Sequence, residues 1–215
     1  MFSKYTNIVW DWNGTLLDDI ELCFETINTL LTSRNLQPFK DIHAYRDTFG
    51  FPVIDYYRRA GFDFDKEPFE VPAAEFIDLY HRDDSRFRLF DGAEEMLASI
   101  KEMGLRQAIL SASELNNLLS QVRLFAIEPY LDDIVGITNI YAESKVSAGQ
   151  EYITRNGIVC EKAVLIGDTL HDYEVAKALG VDCILIANGH QHKHKLLECG
   201  VPVLDDITEI INAIK

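Results

Sequence analysis

Five polar side chains lie where short apolar runs stop, and their types suit the handling of a phosphoryl group. Asp11 follows Asn7–Trp10, Ser111 follows Ala108–Leu110, and Asp168 follows Ala163–Ile166 after one glycine, with Asp172 four residues on. Lys145 opens the helical stretch ahead of the last of these runs. Ligands of an open α/β sheet bind outside the carboxyl ends of its strands, so these residues are expected to converge in one crevice. Two like charges about 4 Å apart repel by about 4 kcal/mol at an effective dielectric of 20. Three carboxylates with one lysine therefore call for a cation. The ligands are hard oxygens with no grouped His or Cys, which favours magnesium over zinc. At such a site a carboxylate can attack phosphorus in line and form an aspartyl-phosphate. The cation, Lys145 and Ser111 would offset charge on the equatorial oxygens.

The elements that must position these groups follow from periodicity. Asn7–Trp10, Leu105–Leu110, Ala163–Ile166 and Val181–Ala187 read as strands. Helical patterns follow over Glu114–Leu124, Lys145–Asn156 with Gly157 as its stop, His171–Leu179 with Gly180, and Ile207–Ile214. Such alternation predicts an α/β fold with a doubly wound parallel sheet. After Leu16 the strand signal disappears. Ile20, Cys23, Phe24, Ile27, Leu30 and Leu31 recur on one helical face, and further helices are expected over Asp41–Phe49, Pro52–Ala60 and Pro72–Arg86. Residues 16–86 are thus expected to form a small all-helical cap inserted after the first strand, with residues 1–15 and 87–215 as the α/β core.

Composition narrows the classes. The 215 residues allow one domain with a sizeable insertion, and 47% hydrophobic with 26% charged residues is globular. A formal charge of −15 repels nucleic acid and anionic membrane surfaces. The expected partner is a small phosphorylated metabolite held by a local positive site, with the protein a monomer or weak homodimer. Cys23, Cys160, Cys183 and Cys199 have no Cys-x-x-Cys spacing and sit in apolar neighbourhoods that suit free thiols. No run approaches the roughly 18 apolar residues of a membrane span, and Met1–Trp10 lacks a signal-peptide core. A cytoplasmic protein is expected.

Asp11-Trp12-Asn13-Gly14-Thr15 resembles the first motif, D-x-D-G-T, of the haloacid dehalogenase superfamily. The order of the remaining signals strengthens the resemblance: Ser111 is similar to the second motif, Lys145 to the third, and Gly167-Asp168-Thr169-Leu170-His171-Asp172 to the fourth, G-D-x-x-x-D. Leu89–Leu97 resembles the segment re-entering the core after a helical cap in the phosphoglycolate phosphatase and β-phosphoglucomutase branch. The resemblance implies Asp11 as nucleophile. It implies Asp11, Asp168 and the main-chain carbonyl of Asn13 as magnesium ligands, and Asp172 as the group orienting a metal-bound water or Lys145. Ser111 and Lys145 would hold the phosphoryl group. Lys145 lacks the proline-rich context common in this branch, and Lys162 and Lys177 are the alternatives. Phosphoglycolate is the default substrate on this resemblance.

Asn13 departs from the motif, whose aspartate protonates the leaving alkoxide and then activates water. General acid–base catalysis is typically worth about 10² to 10⁴ in rate, so alkyl phosphates should react slowly. Asn13 can be a natural variant dependent on good leaving groups or an engineered trap, or His171 can replace the missing acid. The first is favoured because Trp12 and Asp18-Asp19 form a coherent natural variant. The competing non-enzyme reading is a pseudophosphatase that binds a phospho-ligand or a protein. His190, His192 and His194 read as a solvated helix start rather than a zinc site. Arg46, Arg58 and Arg59 read as surface charge, and Tyr45, Phe49, Tyr56 and Tyr57 as cap core.

Overall fold

The strand β1 (Asn7–Trp10) is buried along its whole length, as a strand flanked on both edges and both faces must be. The computed structural model describes residues 3–138 and 145–215. In it, β1 pairs in parallel with β2 (Arg106–Glu114) and with β4 (Ala163–Gly167). The six-stranded sheet runs β3 (Asp133–Ile137), β2, β1, β4, β5 (Asp182–Ile186) and β6 (Val203–Leu204), all pairs parallel. The β1–β2 and β1–β4 registers bring Asp11, Ser111 and Gly167-Asp168 to one sheet edge.

Helices cover both faces, and the two-residue strand repeat sorts the side chains between them. Ile8 and Trp10 pack with α5 (Ala93–Glu102), α6 (Leu115–Leu124) and α10 (Ile210–Ala213). Val9, Ala108, Leu110 and Leu165 instead meet Tyr152 of α7 (Val146–Asn156) and Val175 and Leu179 of α8 (Leu170–Leu179). The sheet is doubly wound, as the alternating pattern predicts.

Between β1 and β2 the chain forms α1 (Ile20–Ser33), α2 (Ile42–Thr48), α3 (Val53–Ala60) and α4 (Glu70–Tyr80) before returning to the sheet through α5. Helix α1 buries the predicted face, Ile20, Cys23, Ile27, Leu30 and Leu31. The Asp41 carboxylate accepts the Ala44 N–H at 2.8 Å and starts α2. The helix expected over Pro72–Arg86 instead begins at Glu70 and ends at Tyr80. Asp83 accepts from both the main-chain N–H and the hydroxyl of Ser85, and this local bonding diverts the chain into a 3-10 turn at Asp84–Arg86. Ile207–Ile214 likewise divides into a 3-10 turn, Ile207–Glu209, and the short α10.

Three elements carry no assignment from the sequence, β3, β6 and α5, whereas the helix start expected at residues 190–194 is α9 (Lys193–Leu196), with His192 as its N-cap. Edge strand β3 is only half buried over most of its length and β6 has two residues, so neither shows an apolar run. Among the described residues no helix is long and apolar enough to cross a membrane.

Candidate active site

The loop leaving β1 sets the site. Trp12 accepts at its carbonyl from the N–H groups of Thr15, Leu16 and Leu17, and Gly14 N–H donates to the Leu17 carbonyl at 2.8 Å. This tight turn needs a positive φ of 72° at Gly14. A Cβ there would lie 2.4 Å from Asp168 Oδ2, and one at Gly189 would lie 2.1 Å from the same atom. Both glycines admit the Asp168 carboxylate.

Asp11, Ser111, Lys145, Asp168 and Asp172 are all buried, and all line one cavity of about 170 Å³ together with Asn13. Lys145 Nζ donates to Asp11 Oδ1 and to Asp172 Oδ1, each at 2.6 Å. Lys162 and Lys177 are exposed and do not line the cavity. Asp11 Oδ2 accepts from the Thr15 hydroxyl at 3.5 Å, and the carboxylate also feels the Trp12 N–H. Asp168 accepts from Thr15 Oγ1 at 3.1 Å and from the His190 N–H at 2.6 Å. The Ser111 hydroxyl oxygen accepts the Ser113 N–H at 3.1 Å.

Asp172 has two tasks. Its Oδ1 takes Lys145, while its Oδ2 accepts from the Thr169 hydroxyl at 2.6 Å and the Thr169 N–H at 3.0 Å, closing a capping box at the start of α8. Thr169 is the N-cap residue, so Asp168 is left facing the cavity.

The electrostatics are those of a crowded anionic site. Burial, and then the neighbouring Asp172 charge, push Asp11 up to about 6 against the pull of Lys145. Burial pushes Asp168 up to about 8, opposed by His190 and reinforced by Asp172 and Asp11. Asp172 goes the other way: burial raises it, but Lys145 and the Thr169 bonds hold it below the ordinary carboxylate range. Lys145 is held above the ordinary lysine range, the two carboxylates outweighing its burial. Asp11, Asp168 and Asp172 each offer an oxygen within 4.8 Å of the others. With Asp172 absorbed by Lys145 and the helix cap, the under-compensated pair is Asp11 and Asp168. A hard divalent cation between them is what this donor set fits.

Asn13 is held from three sides. Its Nδ2 donates to Asp19 Oδ2 at 2.8 Å and to Tyr80 Oη at 3.0 Å, and its Oδ1 accepts from Ser113 Oγ at 2.7 Å. Asp19 is 2% exposed and also accepts from Tyr80 Oη at 2.7 Å and from the Gly14 N–H at 3.1 Å. Its second oxygen faces His190 Nε2 at 3.1 Å. Burial raises Asp19, but His190, Tyr80 and Asn13 outweigh it and hold the carboxyl below its usual range.

His190 is therefore no solvated helix start. It is 3% exposed, and its Nδ1 faces Tyr45 Oη at 2.8 Å, so its ring is fixed between cap and core. Asp19, Tyr80, Thr15, Thr169 and His190 are the site neighbours that the sequence reading does not place. Thr169-Leu170-His171-Asp172 carries a capping-box signature, and residues 188–190 follow β5 at the same sheet edge, so two of these five had a legible signal. Arg58 and Arg59 behave as surface charge outside the cavity, bonding to Asp55 and the Thr48 carbonyl, whereas Arg46 is half-buried: it donates to the Asn188 carbonyl, its Nε has no partner among the described residues, and burial holds its guanidinium below the ordinary arginine range. Tyr45 and Tyr56 belong to the hydrophobic core, as expected, and yet also line the cavity.

Known proteins share this arrangement of sequence. The sequence model described as haloacid dehalogenase-like hydrolase matches residues 8–186. A phosphoglycolate phosphatase of Pseudomonas fluorescens is 22% identical over 212 residues, covering 95% of this chain and 78% of that protein. The tyrosine-protein kinase PtkA of Mycobacterium tuberculosis is 25% identical over 184 residues, covering 85% of this chain and 62% of that protein. A haloacid dehalogenase-like hydrolase structure from Streptococcus pneumoniae superposes with a TM-score of 0.85 at 17% identity, covering 99% of both chains. With the family match running from β1 through β5 and the motif residues gathered at one sheet edge, the chain belongs to the haloacid dehalogenase-like hydrolase family.

Proposed function

We propose that this protein is a magnesium-dependent phosphatase acting on a small phosphate monoester through a phosphorylated Asp11. The observation that carries the reading is the asymmetry of Asp11. Lys145 holds one carboxylate oxygen at 2.6 Å, whereas the other meets the Thr15 hydroxyl only at 3.5 Å, and Asp11 lines the cavity. Asp11 Oδ2 attacks phosphorus; the Oδ2–P bond forms as the ester P–O bond breaks, and the bonding pair leaves on the ester oxygen. Water then attacks the same phosphorus, releasing phosphate and restoring the Asp11 carboxylate. Lys145 and Ser111 orient the phosphoryl oxygens. Asp11, Asp168 and the main-chain carbonyl of Asn13 would hold the magnesium ion, which when bound neutralises charge on the phosphoryl oxygens. Asp172 positions Lys145. Residues 16–86 serve as the cap and residues 1–15 with 87–215 as the catalytic core, in a monomer or weak homodimer of the cytoplasm. The phosphoglycolate phosphatase relative supports a small ester as substrate.

Asn13 favours a second reading, a pseudophosphatase that binds a phospho-ligand without turning it over. One experiment separates them. Hydrolysis of 4-nitrophenyl phosphate is expected with magnesium, lost with a chelator, and reduced at least ~10⁴-fold by Asp11→Asn, as for removal of a covalent nucleophile. Hydrolysis that survives Asp11→Asn would overturn the phosphatase mechanism. Its absence from the native protein would leave the binding reading.

A further inference from the structure

Opposite the ionic floor of the cavity, the wall is supplied by the inserted helices and is aromatic. Phe49 and Phe51 from the α2–α3 connection, Tyr56 of α3, and Phe76, Ile77 and Tyr80 of α4 line it. Among the described residues, Lys145 is the one Lys or Arg in the lining, and it is already committed to Asp11 and Asp172. Arg46, Arg58 and Arg59 lie outside the lining and bond to the Asn188 carbonyl, Asp55 and the Thr48 carbonyl. The remaining charged groups on the organic side, Asp19 and Glu114, are acidic. A substrate carboxylate placed here would lose water and meet no uncommitted Lys or Arg in the described lining. Of the lining histidines, His190 is occupied by Asp19 and Tyr45, and burial holds His81 and His171 below the ordinary imidazole range, which favours their neutral forms.

Two buried polar atoms of the lining have no partner among the described residues: Tyr56 Oη and His171 Nε2. Tyr56 is 3% exposed, and His171 is stacked on Phe51 with ring centroids 4.3 Å apart. Buried hydroxyl and imidazole groups are rarely left unsatisfied, so both suit an uncharged polar substituent on a bound molecule. Asn13 adds an independent constraint. Its amide is bonded to Asp19, Tyr80 and Ser113 and has no acidic proton to give a leaving oxygen. A phenolate, with the pKa of about 10 of a tyrosine, leaves unprotonated far more readily than an alkoxide.

We infer that the substrate class is a small aryl phosphate, its ring seated against Phe49, Phe51, Tyr56 and Phe76 and its phosphate on Asp11, rather than a phosphate ester bearing a carboxylate. The inference rests on the phosphatase reading above. The P–O(aryl) bond breaks with its electron pair on the phenolate oxygen as the Asp11 Oδ2–P bond forms, and the phenolate takes its proton from water.

The test pairs turnover with binding. With magnesium present, kcat/KM for phenyl phosphate is expected to exceed that for 2-phosphoglycolate by at least ~100-fold, the size of an unassisted leaving-group effect combined with a lost polar partner. Benzyl phosphate, which keeps the ring but leaves as an alkoxide, should show the KM of phenyl phosphate and a much lower kcat. Calorimetry on the native protein should find phenylphosphonate at least ~10-fold tighter than phosphonoacetate, because only the former avoids an unpaired carboxylate. Ile77→Arg should narrow that binding ratio. Should the variant not fold, Tyr56→Phe provides the second arm, raising KM for 4-hydroxyphenyl phosphate but not for phenyl phosphate. Equal or tighter binding of phosphonoacetate, or faster turnover of phosphoglycolate, overturns the inference while leaving the phosphatase standing. A protein that hydrolyses none of these esters overturns the phosphatase reading, and the phosphonate pair still decides the ring preference. Faster turnover of a phosphotyrosyl peptide than of phenyl phosphate overturns the small-molecule assignment.

Discussion

The floor and the wall of the cavity are built in opposite ways. On the floor, every functional group is placed by the backbone element that carries it: Asp11 by the end of β1, Ser111 by β2, Asp168 by the end of β4, and Asp172 by the first turn of α8. On the wall, Tyr45, Phe49 and Tyr56 are placed by one another, through ring contacts such as Tyr45–Tyr56 at 6.1 Å and Phe49–Tyr56 at 5.2 Å, and Tyr80 is placed by Phe76 and Phe87. Backbone placement fixes an ion pair to a few tenths of an ångström, which covalent chemistry needs. Packing of rings fixes a shape, which is enough to select a substrate. On the proposed mechanism reaction and selectivity are thus separable, and each should be open to disturbance without the other.

The largest disturbance should come from Lys145. Its ammonium is buried, with two carboxylates at 2.6 Å, so Lys145→Met leaves Asp11 and Asp172 facing each other without a counter-charge. Removing one partner of a buried ion pair typically costs about 3–5 kcal/mol. A loss of that order is expected in urea denaturation. Turnover of 4-nitrophenyl phosphate should fall by at least ~10³, the scale of a lost charge-stabilising donor. Magnesium should recover part of the stability, because it relieves the same repulsion. A stability loss below about 1 kcal/mol would mean the floor is held by something other than this charge pairing.

Asn13 lies on the boundary, and Asn13→Asp sharpens the contrast. The new carboxylate would sit where an amide now donates to Asp19 at 2.8 Å, so one proton is expected to be shared between residues 13 and 19. A protonated carboxyl beside the leaving oxygen is the acid the natural sequence lacks. Turnover of benzyl phosphate is expected to rise about 10²-fold and that of phenyl phosphate by only a few-fold, since general acid catalysis helps the poorer leaving group more. Equal gains for both esters would show that residue 13 does not face the leaving oxygen.

The same division explains what was legible in the sequence. Asp11, Ser111, Lys145, Asp168 and Asp172 could be named because each sits at a fixed offset from a strand or helix signal, and such offsets survive in one dimension. Helix α1 was equally visible, since its buried face repeats every turn. For His190 only the approach to the sheet edge after β5 was legible, because nothing local reports that its ring is pinned between Asp19 and Tyr45, residues 171 and 145 positions away. The end of α4 was misplaced because the side-chain bonding of Asp83, not a proline or glycine, diverts the chain after Tyr80. The aromatic wall could be read only as cap core, since a ring that packs and a ring that lines a cavity have the same periodicity.

Tyr80 joins the two regions and gives the finest test of their separation. Its hydroxyl donates to Asp19 at 2.7 Å and accepts from Asn13 at 3.0 Å, while its ring stacks on Phe76 in the wall. Tyr80→Phe keeps the ring and deletes the hydroxyl. Asp19 retains Asn13, Gly14 and His190 as partners, so no charge is left unpaired. A loss of about 1–2 kcal/mol is expected, the cost of one hydrogen bond to a charged group, seen as a fall in Tm of about 2–8 °C for a chain of this size. Because the wall contact survives, KM for an aryl phosphate should change little. Because the deleted hydroxyl helps to hold the Asn13 amide, what activity is lost should be lost from kcat. The opposite split, with KM rising and kcat unchanged, would place the Tyr80 hydroxyl on the substrate side of the cavity and merge the two regions into one.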